Sequence, residues 1–326
     1  MLGENHSEIE DWVNGIATDS TDHLVDAGAR ARAQAAAPVA VDTPSRTLDD
    51  CPDLTPWADE ATNNGADPAP LRDDLLTAVA EAVAAHPRSL QAEIGPSEIG
   101  HPCNRWLALF FAGAPRRERK TPWRPAVGTA VHEHFSAWLH RHNETHGVRY
   151  LTDVTVYVGD LCAGRPVFGT LDALDVLTAA VIDLKVPGPT QMKAHKTAAG
   201  GPERNPTYRV QKHLYGRGAA NAGFPVAHVG ILRLPAAGEL EDAIWTHEPY
   251  DEAIAVNALA RAGGIAQMVD ALGPDAARMQ PTTEHYCQGC QFFQPHTTDL
   301  ATGCPGDAAW IAKRDSKRST LNDLVA

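Results

Sequence analysis

Apolar residues recur along the chain with two periods, one typical of strands and one typical of helices. Short apolar runs predict strands over residues 150–158, 166–176, 179–186, 226–234 and 243–247. Helical spacing predicts helices over residues 71–85, 126–146, 207–221 and 251–272, and an apolar segment at 95–112 opens with Ser97 in a capping position. Residues 187–206 hold four prolines and three glycines, which predicts a mobile loop.

Two of the predicted strands carry charged residues inside apolar sequence. The runs Pro166–Val176 and Ala179–Val186 are separated by a short polar break, which predicts a hairpin of two central strands. The period of two places Asp183 and Lys185 on the same face of the second strand. If the strands pair in register, Asp172 approaches that face, and burying three charges there requires a partner.

A divalent cation is the partner that this group favours. The carboxylates of Asp172 and Asp183 and the carbonyl of Leu184 are hard oxygen ligands suited to Mg²⁺ or Mn²⁺. The Lys185 ammonium can hold a water or a phosphate oxygen beside them. A cation that polarises a phosphate, next to a fixed positive charge, is what phosphodiester hydrolysis needs. The structural alternative is a solvent-facing Asp–Lys pair on an edge strand.

A basic segment precedes the second of the long predicted helices. Residues 116–124 hold five bases and one acid, including Arg116, Arg117 and Lys120, with Trp123 beside them. Such a segment is suited to contact phosphates and predicts a substrate surface, although a solvated run of charges has the same composition.

Two predicted helices present residues that can meet a ligand. His132 follows Gly128 by one helical turn, which leaves space beside the imidazole, and a structural histidine is the alternative. The apolar stripe of this helix consists of Val127, Val131, Phe135, Trp138 and Leu139. On the next long helix, one face carries Tyr208, Gln211 and Tyr215, which predicts contact with a ligand or a hydrogen-bonded core.

The six cysteines are too few for a disulfide scaffold in a chain of 326 residues. Cys287 and Cys290 form a CxxC pair followed by Cys304, in a Pro- and Gly-rich segment that we expect to form little core of its own. A metal held by four thiolates needs one more cysteine, and we choose Cys103 over those in the acidic tail and at a hairpin tip. Zn²⁺ and a [4Fe–4S] cluster both fit four thiolates, and free buried thiols are the alternative.

Negative charge is concentrated at the beginning of the chain. The formal net charge is −13, yet residues 1–90 hold 17 Asp and Glu against 5 Lys and Arg, and the rest holds 24 against 23. The acidity therefore does not exclude a nucleic-acid partner for the rest of the chain. We interpret residues 1–69 as an acidic, largely disordered tail that could bind a protein partner, and residues 70–326 as the folded domain.

The sequence predicts a cytoplasmic protein with no membrane partner. No stretch approaches the roughly 20 apolar residues of a membrane span, and no basic segment followed by an apolar run lies at the beginning. The chain has 21 Arg against 7 Lys, which favours a GC-rich genome. We interpret the source as a bacterium, such as an actinobacterium, or one of its phages.

The order of the motifs resembles that of one nuclease family. An upstream cysteine and a C-terminal cysteine cluster bracket Gly128-x3-His132, Gly169-Thr-Leu-Asp172, Asp183-Leu-Lys185 and Gln211-x3-Tyr215. Over residues 93–307 the chain resembles the RecB-like branch of the PD-(D/E)XK nuclease superfamily. In particular it is similar to the iron–sulfur exonucleases of the fourth CRISPR-associated (Cas) family and their phage-encoded relatives.

The resemblance implies an α/β fold class, with a restriction-endonuclease-like core in which helices flank a mixed central sheet and an iron–sulfur cluster staples the terminal region. It implies metal-dependent exonuclease activity on DNA, with a preference for single-stranded ends, in recombination, replication or CRISPR-type processing. Lys185 would assist the attacking water, and Gln211 with Tyr215 would contact the substrate. The catalytic cation would be bound by His132, Asp172 and Asp183. The [4Fe–4S] cluster would be bound by Cys103, Cys287, Cys290 and Cys304.

Two other functions are compatible with the same residues. One is a DNA-binding module of this fold that does not cut, and the other is an endonuclease that selects a structure or a sequence. The presence of Asp172, Asp183 and Lys185 together favours an enzyme, because a nuclease that has lost its activity usually lacks one of them.

Overall fold

The computed structural model of the protein describes residues 71–85, 93–117, 123–162, 164–196 and 202–325, with backbone only at residue 285 and after residue 316. The predicted tail over residues 1–69 and Lys120 of the basic segment lie outside these residues. The described residues form two compact units, one of residues 93–117 and 131–325 and the other of residues 71–85 and 123–130.

Helices and strands alternate over most of the described chain. The helices are α1 (Leu71–Ala85), α2 (Pro96–Ile99), α3 (Asn104–Phe111), α4 (Trp123–His146), α5 (Pro189–His195), α6 (Pro206–Asn221), α7 (Glu252–Leu272) and α8 (Ala308–Val325). Short 3₁₀ helices span Leu240–Asp242, Gly273–Met279 and Glu284–Tyr286. The strands are β1 (Tyr150–Asp160), β2 (Pro166–Asp175), β3 (Ala180–Lys185), β4 (His228–Arg233) and β5 (Ile244–Pro249). No helix among the described residues combines the length and apolar character that crossing a bilayer requires.

The strands form one mixed sheet in the order β1-β2-β3-β4-β5. Neighbouring strands are antiparallel except β3 and β4, which are parallel and are connected through α5 and α6. Strands β2 and β3 form the predicted hairpin and lie inside the sheet, as expected. The predicted mixed central sheet flanked by helices is therefore confirmed.

Apolar side chains cover both faces of the sheet. On one face, Leu214 of α6 belongs to a core with Leu171 of β2 and Val181 of β3. On the other face, Phe135 of α4 packs with Leu184 of β3. Because both faces are covered, a charged side chain near the middle of the sheet must be paired or lie where the strands separate.

Three local predictions were wrong. Residues 187–206 include the helix α5, which begins at Pro189, because proline is well suited to the first turn of a helix. Ser97 lies inside α2, and the helix is capped at Gly95, whose N–H donates to the Glu98 carboxylate at 3.0 Å. Trp138 is 49% exposed and stacks on His134 instead of joining the apolar stripe of α4.

The cysteine-rich segment, residues 287–304, forms more apolar core than the sequence suggested. Phe292 and Leu300 are 1% and 4% exposed and belong to a cluster with Leu107 of α3 and Val269 of α7. The expectation that this segment has little core of its own was wrong, because Phe292 and Leu300 pack against α3 and α7 while Phe293 contacts Trp310 of α8.

Helix α6 is attached to the sheet by buried charges as well as by apolar contacts. Glu248 of β5 accepts hydrogen bonds from Arg209 at 2.8 Å and lies 2.9 Å from the Lys212 ammonium, which is fully buried. Burial raises the pKa of Glu248, but the hydrogen bonds from Arg209 and Lys212 outweigh that effect and lower it to about 2. The ionised carboxylate therefore stabilises the fold.

Glu248→Gln should lower the free energy of unfolding at pH 7 by about 3 kcal/mol, since it leaves Lys212 buried without its counter-charge. A depressed carboxyl pKa contributes stability that is present above the usual value near 4.5 and is lost as the pH falls towards 2. The variant should therefore show a flatter dependence of stability on pH in that window, measured by urea unfolding. Asp275→Asn, which removes an exposed pair with Arg278, is the control and should leave both quantities unchanged. Equal pH profiles for Glu248→Gln and the native chain would contradict this assignment.

Candidate active site

The site lies where β2 and β3 separate. Their antiparallel ladder covers the three pairs nearest the hairpin turn and ends at Ala173 and Ile182, whereas β3 pairs with β4 over its whole length. Beyond that point, the Leu184 N–H donates to Oδ2 of Asp172 at 2.7 Å. The Asp172 carboxylate thus accepts a hydrogen bond that a backbone carbonyl would accept in a continuous ladder.

Asp183 and Lys185 lie together at this fork. The Lys185 Nζ is 2.9 Å from Oδ1 and 2.8 Å from Oδ2 of Asp183, so the two side chains share a face. Asp183 is 1% exposed. Burial raises the pKa of Asp183, and the charge of Asp172 raises it further, against the opposing effect of Lys185. The structure therefore brings the two predicted acids and the predicted amine into one group of neighbouring charges.

His132 of α4 joins this group through Asp172. Its Nδ1 is 2.8 Å from Oδ1 of Asp172. Burial raises the pKa of Asp172, but the hydrogen bond with His132 and the charge of Lys185 outweigh that effect, so the pKa lies below its usual value. Because an ionised carboxylate only accepts hydrogen bonds, the hydrogen between the two groups lies on His132 Nδ1.

The donor set at the fork fits a hard divalent cation. Two carboxylates, one backbone carbonyl and one imidazole nitrogen are ligand types that Mg²⁺ and Mn²⁺ accept. Oδ2 of Asp183 is buried and has no hydrogen bond among the described residues, although Lys185 lies close to it. A cation at the fork would offset the mutual repulsion of the Asp172 and Asp183 carboxylates, which is one cause of the raised pKa of Asp183. In the described part of the chain, no three His, Cys, Asp or Glu side chains are already arranged around a metal position.

Helix α6 contributes one residue beside the site and two that support it from within. The ring of Tyr208 lies 5.1 Å from the Lys185 Nζ. Gln211 is 4% exposed and donates to the Tyr215 hydroxyl at 3.4 Å. Tyr215 packs on Gly169 of β2, where a Cβ would lie 2.7 Å from the ring. A glycine is therefore needed in the Gly-Thr-Leu-Asp segment so that Tyr215 can approach the strand.

The four cysteines chosen from the sequence line one pocket. Cys103 lies at the start of α3, Cys287 and Cys290 follow the last 3₁₀ helix, and Cys304 precedes α8. His101 and Trp106 also line this pocket and stack on each other with ring centroids 4.4 Å apart. All the described cysteines are free thiols.

Backbone amides and neighbouring sulfurs set the chemistry of these thiols. Asp307 N–H donates to Cys287 Sγ at 3.2 Å, and Gly306 N–H donates to Cys304 Sγ at 3.4 Å. Burial, together with the neighbouring cysteines, raises the pKa of Cys290 to about 11. Thiolates gathered in this pocket would repel each other, so a positively charged metal centre fits the donor set.

The start of the basic segment, at Arg116 and Arg117, lies beside the cysteine-rich segment. The Arg117 N–H donates to the carbonyl of Gln291 at 2.8 Å, and the Arg116 guanidinium lies 4.9 Å from the centre of the Phe110 ring. Both arginine side chains are exposed. They are accessible to a ligand, and the backbone of Arg117 is held by the segment that carries Cys287 and Cys290.

Sequence reasoning missed one buried group next to the fork. Arg233 of β4 is fully buried and is paired with Glu203 and Thr246. Arg233 could have been noticed in the sequence, since an arginine inside the apolar strand predicted at residues 226–234 is as unusual as the charged residues of β3. The partner Glu203 could not be inferred, because it lies 30 residues away in a segment predicted to be a loop.

Comparison with known proteins identifies no family. No protein-family model matches the sequence, and no curated protein matches it. Among solved structures, an alkaline exonuclease from Laribacter hongkongensis is 13% identical, with a TM-score of 0.41 over 58% of this chain and 93% of the exonuclease. The same exonuclease in complex with dAMP is 15% identical, with a TM-score of 0.40 over the same shares of the two chains. This likeness is too weak to assign an activity, so the function has to be argued from the site itself.

Proposed function

We propose that this chain is a metal-dependent nuclease that hydrolyses phosphodiester bonds in DNA, and that it acts as an exonuclease of the PD-(D/E)XK type. The observation that carries the proposal is the fork between β2 and β3, where Asp172, Asp183 and Lys185 meet. The order of the sequence motifs also supports a nuclease of this type.

Each residue of the fork has a distinct task in this proposal. Asp172, Asp183, His132 and the carbonyl of Leu184 would hold Mg²⁺ or Mn²⁺. When bound, the cation supplies a Lewis acid for the phosphate and lowers the pKa of water. Lys185 uses one N–H bond on Asp183 and has two further donors for the attacking water or a phosphate oxygen. Asp172 holds the His132 ring in place through its contact with Nδ1.

The substrate in this proposal is DNA, preferentially its single-stranded ends. Tyr208 presents an aromatic ring at the fork, on which an unpaired base can stack. The exposed Arg116 and Arg117 offer charges for the phosphate backbone, with Lys120 following in the same segment. Gln211 and Tyr215, which are buried, would act on the substrate mainly by supporting the helix that carries Tyr208.

The cysteine pocket is proposed to hold a [4Fe–4S] cluster on Cys103, Cys287, Cys290 and Cys304, with structural Zn²⁺ as the alternative. The four sulfurs share one pocket, and two of them accept backbone N–H donors. Such donors stabilise thiolate ligands and tune the potential of a cluster. This centre would join α3 to the C-terminal segment and would make the chain similar to the iron–sulfur exonucleases that its motifs resemble.

The native chain should shorten an end-labelled single-stranded DNA oligonucleotide in the presence of Mn²⁺ or Mg²⁺, and EDTA should stop the reaction. Denaturing gels would show a ladder of successively shorter products, because an exonuclease removes nucleotides from an end. A duplex with blunt ends should be degraded more slowly, and a closed circular plasmid should stay intact.

Other products would identify a different function. Discrete cuts in the closed plasmid would indicate an endonuclease. Binding of the oligonucleotide without cleavage, in both Mn²⁺ and Mg²⁺, would indicate a DNA-binding module of the same fold and would contradict the proposal.

A further inference from the structure

A buried ion pair lies beside the lysine of the fork. Arg233, the last residue of β4, is fully buried and is paired with Glu203, which is 4% exposed. Thr246 of β5 accepts from Arg233 Nη1 at 3.1 Å and donates to Oε2 of Glu203 at 3.1 Å. These three residues form one hydrogen-bonded group that has no part in the chemistry proposed above.

The group is next to Lys185 in the sheet. Strands β3 and β4 are parallel, and Lys185 is paired with Arg233 in their register. Paired residues of adjacent strands project from the same face, about 5 Å apart. The Arg233 side chain therefore bounds the space into which Lys185 projects.

Glu203 also determines where α6 begins. Its Oε1 accepts from the Asn205 N–H at 2.7 Å. Asn205 is the N-cap of α6 and accepts from the N–H groups of Thr207 and Tyr208 at 3.0 and 3.4 Å. The ring of Tyr208 then lies 5.1 Å from the Lys185 Nζ. The strand register thus places Lys185 next to Arg233, and hydrogen bonds connect Arg233 through Glu203 to the start of α6, where Tyr208 contacts Lys185.

Burying the Arg233–Glu203 ion pair costs more free energy of desolvation than burying apolar side chains of the same volume. An apolar pair of similar volume is often as stable as a buried ion pair, or more stable, because two charges lose their hydration on burial. An ion pair with several hydrogen bonds does fix orientation, which apolar packing does less well. Next to Lys185, an ion pair that fixes the orientation of its neighbours therefore has an advantage over apolar packing.

We propose that Glu203 and Arg233 are positioning residues that hold Tyr208 over Lys185 and so fix the Lys185 ammonium against Asp183. The proposal rests on the proposed nuclease function for the task of Lys185, but the positioning itself can be measured without activity.

The double variant Glu203→Leu/Arg233→Met removes both charges and keeps an apolar filling. We expect it to fold with a Tm close to native. Its kcat on the single-stranded oligonucleotide with Mn²⁺ should fall by on the order of tenfold and its KM should change little, since small misplacements of a reacting group lower kcat.

An NMR measurement tests the positioning without activity. In ¹³C-lysine-labelled protein, the Lys185 ε-methylene signal should carry an upfield ring-current shift from Tyr208, and its absence in Lys185→Ala assigns it. The double variant should lose that shift. The matched control, Arg165→Met/Asp270→Leu, replaces an exposed ion pair and should keep native values of kcat and of the shift.

Each outcome has one meaning. A native shift in the double variant overturns the proposal, whether or not kcat falls. A native chain without nuclease activity, combined with loss of the shift in the double variant, contradicts the proposed function and supports the positioning. If the double variant does not fold, Thr246→Val decides, because it removes the hydrogen bonds of Thr246 with Glu203 and Arg233 and keeps the ion pair. A partial loss of the shift supports the proposal and an unchanged shift overturns it.

Discussion

Replacing Lys185 with alanine should lower kcat for DNA cleavage by about 10²–10³-fold, as expected for the loss of one preorganised charge at a developing anion. The ammonium lies 2.8 Å from Asp183 in a site where the carboxylate is 1% exposed, so water cannot replace its field well. Raising the Mn²⁺ concentration should not restore the rate, because the missing group is a donor and not a cation ligand. Single-turnover kinetics on the end-labelled oligonucleotide measure the effect.

Lys313→Ala is a matched control for this variant. Lys313 is 66% exposed in α8 and lies 3.6 Å from Glu284, so its loss should change kcat by less than about twofold. Equal degradation by the native chain and Lys185→Ala would rule out a catalytic task for Lys185. It would leave Asp183 and Lys185 as a structural ion pair.

Cys304→Ser should lower the Tm by on the order of 10 °C, because a metal-thiolate centre contributes directly to folding and its loss costs several kcal/mol. Cys304 lines the same pocket as the other three cysteines and accepts a hydrogen bond from Gly306. Anaerobically purified native protein should contain about four iron and four acid-labile sulfide per chain, with the broad visible absorption of a cluster. The variant should lose both.

Cys162→Ser provides the matched control, since this thiol is not among the residues that line the pocket. It should retain the native iron content and a Tm within about 2 °C of native. Zinc without iron in the native chain would replace the cluster by a Zn²⁺ centre and keep the four ligands. A metal-free native chain with the same Tm as Cys304→Ser would rule out a metal centre in this pocket.

Local patterns in the chain were sufficient to predict most elements of the fold. The hairpin of β2 and β3 could be predicted because strands impose a period of two and a polar break marks the turn. The same period placed Asp183 and Lys185 on one face, where the structure has them. Helix α5 was missed because prolines and glycines suggest a loop, whereas Pro189 is favourable as the first residue of a helix.

Most contacts between distant segments could not be predicted from the sequence. The proximity of Cys103 to the C-terminal cysteines is an exception. Cys103 could be singled out because thiols are few, and it lines the same pocket as Cys287 and Cys290, while a metal centre on these cysteines stays a prediction. Carboxylates and bases are many, so nothing in the sequence selects Glu203 as the partner of Arg233 or Glu248 as the partner of Lys212. Pairing of common residues is decided by packing.

By itself the sequence determined the five strands, the helices α1, α4, α6 and α7, and the face shared by Asp183 and Lys185, since each follows from local periodicity. Only the tertiary structure decided that β2 and β3 separate at Asp172, that His132 meets that carboxylate, and that a buried ion pair bounds Lys185. These features depend on how α4 and α6 pack against the two faces of the sheet. The free energy of that packing is distributed over many long-range contacts, which no local pattern records.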